Sequence, residues 1–159
     1  MNEVFRKRHS TRSFKEKEIE PEKLEEILEA ANSAPSAGDL KAREILVVKD
    51  KKTKESLVKA TIGEQKFVAE AAVVLVFFAV PLRSAARYKE RGKDLYCLQD
   101  ATISASFAWL QAVMLGLSCC WVGAFEENQV KDILKIKEDW RPIALLPIGY
   151  SAEEVNSGN

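Results

Sequence analysis

The ten residues from Ala71 to Val80, AAVVLVFFAV, carry no polar side chain and constrain the fold more than any other part of the chain. Ten residues are about half of what a helix needs to cross a bilayer of roughly 30 Å, so the run belongs inside a protein core. The segment from Ala72 to Val80 is rich in β-branched and aromatic residues and does not alternate between apolar and polar. That pattern predicts a central strand covered on both faces, which in turn requires helices on each side of its sheet.

The flanking sequence supplies those helices. After Glu20-Pro21, the residues Leu24, Ile27, Leu28 and Ala31 recur at helical spacing while Glu22, Lys23, Glu25, Glu26 and Glu29 take the opposite face. This predicts an amphipathic helix that ends near Asn32 to Ala34, because the residue before Pro35 is disfavoured in the helical region; Ser36-Ala37-Gly38 then reads as a loop. A short helical start covers Val4 to Lys7, Ile45 to Val48 reads as a strand, and Lys51 to Ile62 as a second amphipathic helix.

From Asp94 to Leu117 there is no proline, and beyond Ala101 apolar residues cover most of the helical circumference. A helix of that kind is expected to be buried, inside the domain or against a partner subunit. Ser118-Cys119-Cys120 reads as a turn, followed by an extended segment Trp121 to Phe125, a helix from Glu126 to Leu134 and a strand from Ile143 to Ile148. The polar tail from Ser151 to Asn159 is expected to be loose. The order α-α-β-α-β-α-β-α-β, in 159 residues without repeat or linker, predicts one α+β domain spanning residues 1–159.

Charge narrows the partners. The 24 Lys and Arg balance 24 Asp and Glu, so the overall field that attracts nucleic acid or an anionic membrane is absent and neither partner is expected. The N-terminus has basic residues with no apolar region behind them, unlike a secretory signal, and a cytoplasmic location is expected. Three cysteines without CxxC spacing, beside a single His, suit neither a disulfide framework nor a zinc site. Cys119 and Cys120 read as small buried residues rather than a redox centre.

Arg8-His9-Ser10-Thr11-Arg12 concentrates two guanidinium groups, an imidazole and two hydroxyls. Guanidinium binds phosphate or an anionic carbonyl bidentately, so the segment suits a phosphorylated cofactor; alone, it also suits a solvated basic stretch. Four segments in order, RKRHSTRSF, EAANSAPSAGDLKAREILVV, GLSCCWVGAFEENQVKDIL and RPIALLPIGYSAEE, resemble the successive signatures of the nitroreductase family over nearly the whole chain. The resemblance implies a three-layer α+β fold with a long buried central helix, built as an intertwined homodimer with two FMN molecules at the subunit interface.

Carried over by position, the resemblance places Arg8 at the flavin pyrimidine edge and Ser10 and Arg12 at the ribityl phosphate, with His9 supplying main-chain or ring contacts. Pro35, Ser36, Ala37, Gly38 and Asp39 are implied to lie over the isoalloxazine ring of the other subunit. Trp121, Val122, Gly123 and Ala124 are implied to back its opposite face, with the Gly123 N–H at flavin N5 and Gln65 as a further ring contact. Tyr96, Gln99 and Asp100 resemble a Tyr-x-x-Gln-Asp pattern of one branch, in which a buried polar pair would tie the long helix to loops near the flavin. The chain departs from the family pattern at Asp39, where Asn is usual, and at Lys41-Ala42-Arg43, where Gln-Pro-Trp is common. A further departure is the absence of the arm that commonly follows GYxAEE and supplies a basic phosphate ligand. Arg83, Arg87 and Arg91 read either as a substitute cluster or as a solvated helix face.

The implied activity is hydride transfer from NAD(P)H through FMN to a small acceptor, a nitroaromatic, quinone or flavin, by a ping-pong mechanism that uses no side chain as nucleophile or general base. Two other readings stand beside it: a flavin carrier with little turnover, and a cofactor-free α+β interaction domain whose basic segment is only surface.

Overall fold

The computed structural model describes residues 1–136 and 138–153. Strand β2 (Val73–Ala79) is the strand expected from the apolar run, and all of its residues are buried. It pairs antiparallel with β1 (Arg43–Val48) on one side and β4 (Arg141–Gly149) on the other; β3 (Ser118–Cys119) closes the order β1-β2-β4-β3.

Successive side chains of a strand point to opposite faces, and this explains why β2 shows no polar alternation. Val74, Val76 and Phe78 enter one core with Leu57, Val68 and Val130; Val73, Leu75 and Phe77 enter another with Ile27, Ala31 and Ala108. The first core is closed by α3 (Lys51–Ala60), α4 (Phe67–Glu70) and α7 (Glu127–Leu134), and the second by α2 (Pro21–Ser33) and α6 (Cys97–Met114). The result is the three-layer α+β arrangement, with α1 (Glu3–Lys7) at the N-terminus and α5 (Pro81–Arg91) between β2 and α6.

Three expectations need correction. Ser118-Cys119, read as part of a turn, is β3, and its small side chains let the N-terminal segment run alongside: the Thr11 N–H donates to the Cys119 carbonyl at 3.0 Å. Trp121 to Phe125 is held by isolated bridges, Val122 to Leu145 and Phe125 to Thr61, and is not a strand. The long helix does not run unbroken from Asp94: a π-turn at Gly92–Tyr96 precedes α6, and Lys89 interrupts α5 with φ 52° and ψ −139°.

The long helix is also not buried all round within one chain. Ala101, Ser104, Ala105, Ala108 and Ala112 form its inner face, where small side chains allow close approach to the sheet and α2. Its bulkier residues lie outside, with Ile103, Phe107 and Met114 exposed. Among the described residues no helix is long and apolar enough to cross a membrane. The expected loose tail falls, from Glu154 onward, outside the described residues.

Candidate functional site

The basic segment is pinned from beneath. Thr11 is fully buried and Phe14 packs under Gly149, where an added Cβ would lie 3.1 Å from the Phe14 ring. The Lys15 N–H donates to the Tyr150 carbonyl at 2.8 Å. These contacts leave Arg8, His9 and Arg12 facing outward on a fixed backbone. The Arg8 guanidinium lies over the Trp109 ring, 5.0 Å from its centroid, and the buried Trp109 Nε1 has no partner among the described residues.

His9 spends both ring nitrogens locally, Nδ1 on the Lys7 carbonyl at 2.9 Å and Nε2 on Thr11 Oγ1 at 3.0 Å. The carbonyl assigns the proton to Nδ1, so His9 positions Thr11 and its ring has little left to offer a ligand. The Arg12 N–H donates to Glu153 Oε1 at 2.6 Å, while among the described residues its guanidinium makes only a long 3.4 Å contact to the Ser10 carbonyl. That guanidinium remains available. A cleft of about 720 Å³ opens beside the segment, lined by Arg6, Lys7, His9, Lys15 and, against them, Glu153.

The loop Pro35 to Asp39 is shaped by two buried ionic side chains. Asp100, 2% exposed, accepts the Ala37 N–H at 3.0 Å through Oδ1 and the Ala42 N–H at 3.1 Å through Oδ2. This is the structural tie expected of that residue, made from α6 to both ends of the loop. Arg43, 5% exposed, donates through Nη2 to the carbonyls of Ala31, Asn32 and Ala34 at 3.0–3.2 Å. It caps α2, whose own last turn holds no basic residue, and places positive charge at the negative end of the helix dipole. Burial pushes the Arg43 pKa down, and the nearby Asp100 and Asp39 carboxylates oppose that shift.

Within the loop, Ser36 Oγ accepts the Lys41 N–H at 2.9 Å and the Asp39 N–H returns to the Ser36 carbonyl at 3.1 Å. Gly38 and Asp39 both adopt left-handed φ, 58° and 55°. Pro35, Gly38 and Asp39 are exposed. Pro35, Ser36 and Ala37 form one wall of a cleft of about 590 Å³ whose other wall is Tyr96 and the start of α6, from Leu98 to Ile103.

The Trp121 to Ala124 segment is fixed by Val122, whose N–H and carbonyl both pair with Leu145 at 2.9 Å and whose side chain is buried. Val122 therefore contributes only by holding its neighbour. Gly123 is exposed, its φ lies outside the left-handed region, and among the described residues nothing accepts its N–H. A Cβ there would meet only the Trp121 indole edge, at 3.2 Å. Gln65 is brought close: its N–H donates to Thr61 Oγ1 at 2.8 Å, and the adjacent Ile62 N–H donates to the Ala124 carbonyl at 2.9 Å.

Leu98 and Thr102 line both the cleft at Pro35 and a smaller one of about 290 Å³ at Trp121 and Gly123. The loop and the glycine thus flank the N-terminal half of α6. Arg8 lies farther along: Trp109 follows Asp100 by nine residues, about 14 Å of helix axis. One chain brings Gln65 and Trp121 to Ala124 together, and sets the Pro35 loop and the basic segment apart along α6.

Burial pushes the thiols of Cys97, Cys119 and Cys120 up, and all three are free. The residues that sequence reading missed are Arg43 and Glu153. Arg43 stood out in the sequence only as a departure from the family pattern, and the cation-free last turn of α2 was the one signal for its role.

A family model described as the nitroreductase family matches residues 5–150. The chain belongs to the nitroreductase family. Its fold is that of solved members: a nitroreductase family protein from Clostridium novyi NT superposes with a TM-score of 0.87 at 27% identity, covering 99% of this chain and 87% of the other. An FMN-dependent nitroreductase from Clostridium difficile R20291 gives 0.84 at 31% identity, covering 98% and 90%. An FMN reductase [NAD(P)H] of Bacillus subtilis is 28% identical over 96% of this chain and 68% of its own length.

Proposed function

We propose that this chain, an FMN-dependent oxidoreductase of the nitroreductase family, passes hydride from NAD(P)H to a small acceptor, with donor and acceptor taking the same place in turn. Acceptors of the nitroaromatic, quinone or flavin class fit a cleft that mixes apolar walls, Pro35, Ala37, Leu98 and Ile103, with polar groups. FMN supplies hydride acceptance and donation at N5; the protein supplies binding and electrostatics.

The observation that carries this reading is Gly123. Its φ lies outside the left-handed region, so no backbone strain calls for a glycine at this position. Among the described residues nothing accepts its N–H, which sits on a backbone locked by the Val122–Leu145 pair, with no Cβ to hold a ligand off. The basic segment fits the other end of the cofactor. Arg12, whose guanidinium pairs with no carboxylate among the described residues, would hold the phosphate with the Ser10 hydroxyl, and Arg8 would offer a cation at the flavin pyrimidine.

Because α6 separates the Pro35 loop from the basic segment within one chain, the reading needs a homodimer in which one chain's loop completes the other's site. The exposed Ile103, Phe107 and Met114 give α6 an apolar outer face for that contact. Steady-state oxidation of NAD(P)H with menadione tests the proposal: parallel double-reciprocal lines are expected, whereas a flavin-loaded protein that turns over no acceptor would make it a carrier.

A further inference from the structure

Between β2 and α6 lies a group of four side chains that the reading above leaves unused. The Tyr88 and Tyr96 rings meet edge to face, 5.1 Å between centroids. Arg87 lies over Tyr88, with Cζ 5.4 Å from the ring centroid, and Arg91 over Tyr96 at 5.5 Å, donating from Nε to the Tyr96 hydroxyl at 3.1 Å. The strained backbone at Lys89 turns the chain so that arginines from either side of the break reach this one aromatic pair.

These arginines differ from Arg83 and Arg141, two exposed arginines that carry a carboxylate partner. Arg83 donates to Glu44 and to the Lys41 and Arg43 carbonyls, and Arg141 is bidentate to Glu127. The sequence reading of Arg83, Arg87 and Arg91 as one cluster is thus corrected, because Arg83 is turned away and neutralised. Arg87 and Arg91 are exposed, and among the described residues no carboxylate pairs with either. A guanidinium resting on a ring is partly ordered before a ligand arrives; Arg91 spends its Nε on the Tyr96 hydroxyl and keeps its two terminal nitrogens for a phosphate.

The group borders the candidate site. Tyr96 lines the cleft at Pro35, Ser36 and Ala37. At Gly38 an added Cβ would lie 2.6 Å from the Tyr88 hydroxyl and 2.8 Å from Arg87 Nη1, so the loop packs directly on the ends of these two side chains.

We propose that Arg87 and Arg91 bind the 2′-phosphate of the reductant's adenosine end, with the tyrosine pair as their platform, and give the enzyme a preference for NADPH over NADH. The assignment rests on the oxidoreductase reading. Two unopposed guanidinium groups match a phosphate monoester dianion, and their place on the rim leaves the cleft itself to the nicotinamide.

The test is a doubly substituted Arg87→Gln, Arg91→Gln protein, loaded with FMN and assayed with menadione, a neutral acceptor. The KM for NADPH is expected to rise at least tenfold, with KM for NADH and both kcat values within twofold of the parent. Calorimetry gives a second reading: 2′,5′-ADP binding should weaken by a similar factor and 5′-AMP binding should not change. Equal changes for the two nucleotides would assign the arginines to the shared pyrophosphate, and no change for either would make them surface; both overturn the proposal. So would a loss seen only when free FMN replaces menadione, which would point to an anionic acceptor. A parent protein that holds no FMN defeats the oxidoreductase reading instead, and the 2′,5′-ADP titration then still reports whether the arginines bind phosphate.

Discussion

Replacing Asp100 by Asn tests how the loop Pro35 to Asp39 is held. The carboxylate is 2% exposed and accepts two N–H groups, one on each oxygen, at 3.0 and 3.1 Å. A carboxamide of the same shape keeps one acceptor and turns an NH2 toward the other donor. One charge-assisted bond, worth about 1.5–3 kcal/mol, is lost, and a buried N–H is left without a partner. The buried Arg43 also loses a neighbouring negative charge that offsets its desolvation. Asp100→Asn should therefore destabilise by about 2–3 kcal/mol, lowering Tm by roughly 4–12 °C for a chain of this size. Asp100→Ala, which orphans both donors, should cost more. Urea and thermal unfolding followed by circular dichroism measure both, and FMN retention should fall alongside because the loop loses its anchor. An Asn variant within about 0.5 kcal/mol of the parent would refute the reasoning, since it would mean that solvent already satisfies the Ala37 and Ala42 N–H groups.

Other perturbations separate structure from chemistry. Gly123→Ala should change stability by less than about 1 kcal/mol, because φ is ordinary and the Cβ meets only the Trp121 side chain, yet lower turnover at least tenfold; unfolding with unchanged activity per folded molecule would make the glycine structural. Phe107→Lys, on the exposed face of α6, should leave the helical spectrum intact while shifting gel filtration to a single chain and releasing FMN. The Tyr150 hydroxyl, with smaller help from the backbone and Lys23, holds the Glu20 carboxyl down to about 2. Its depressed pKa makes a contribution that is full above about pH 4.5 and lost as pH falls toward 2, so Tyr150→Phe should raise the pH of acid unfolding and return the Glu20 titration toward the ordinary carboxylate range.

Much of the fold could be read from periodicity. β2 and α2 were legible because burial on two faces and on one face leave different patterns, and both appear where expected. β3 was not, since two small residues at a sheet edge look like a turn until their partners on β4 are known. The four residues of α4 are too few to show a period, and the break at Lys89 is a backbone event at a residue with no turn preference. The outer face of α6 was legible only as a choice between the domain and a partner subunit, because composition says that Ile103, Phe107 and Met114 are apolar, but not which molecule covers them.

At the candidate site the sequence identified residues better than roles. Asp100 was legible as a tie because a buried acid on an apolar helix needs partners. Arg43 was not, since its function depends on where the end of α2 lies in space. His9 looked like part of an anion site and proved to be engaged with its own neighbours.

A native mass spectrum of the purified protein tests the central claim most directly, because it reports subunit number and bound cofactor together. The expected species is a dimer carrying two FMN molecules, and Arg12→Ala should shift the distribution toward flavin-free dimer. A flavin-free single chain, unchanged after incubation with FMN, would contradict the account.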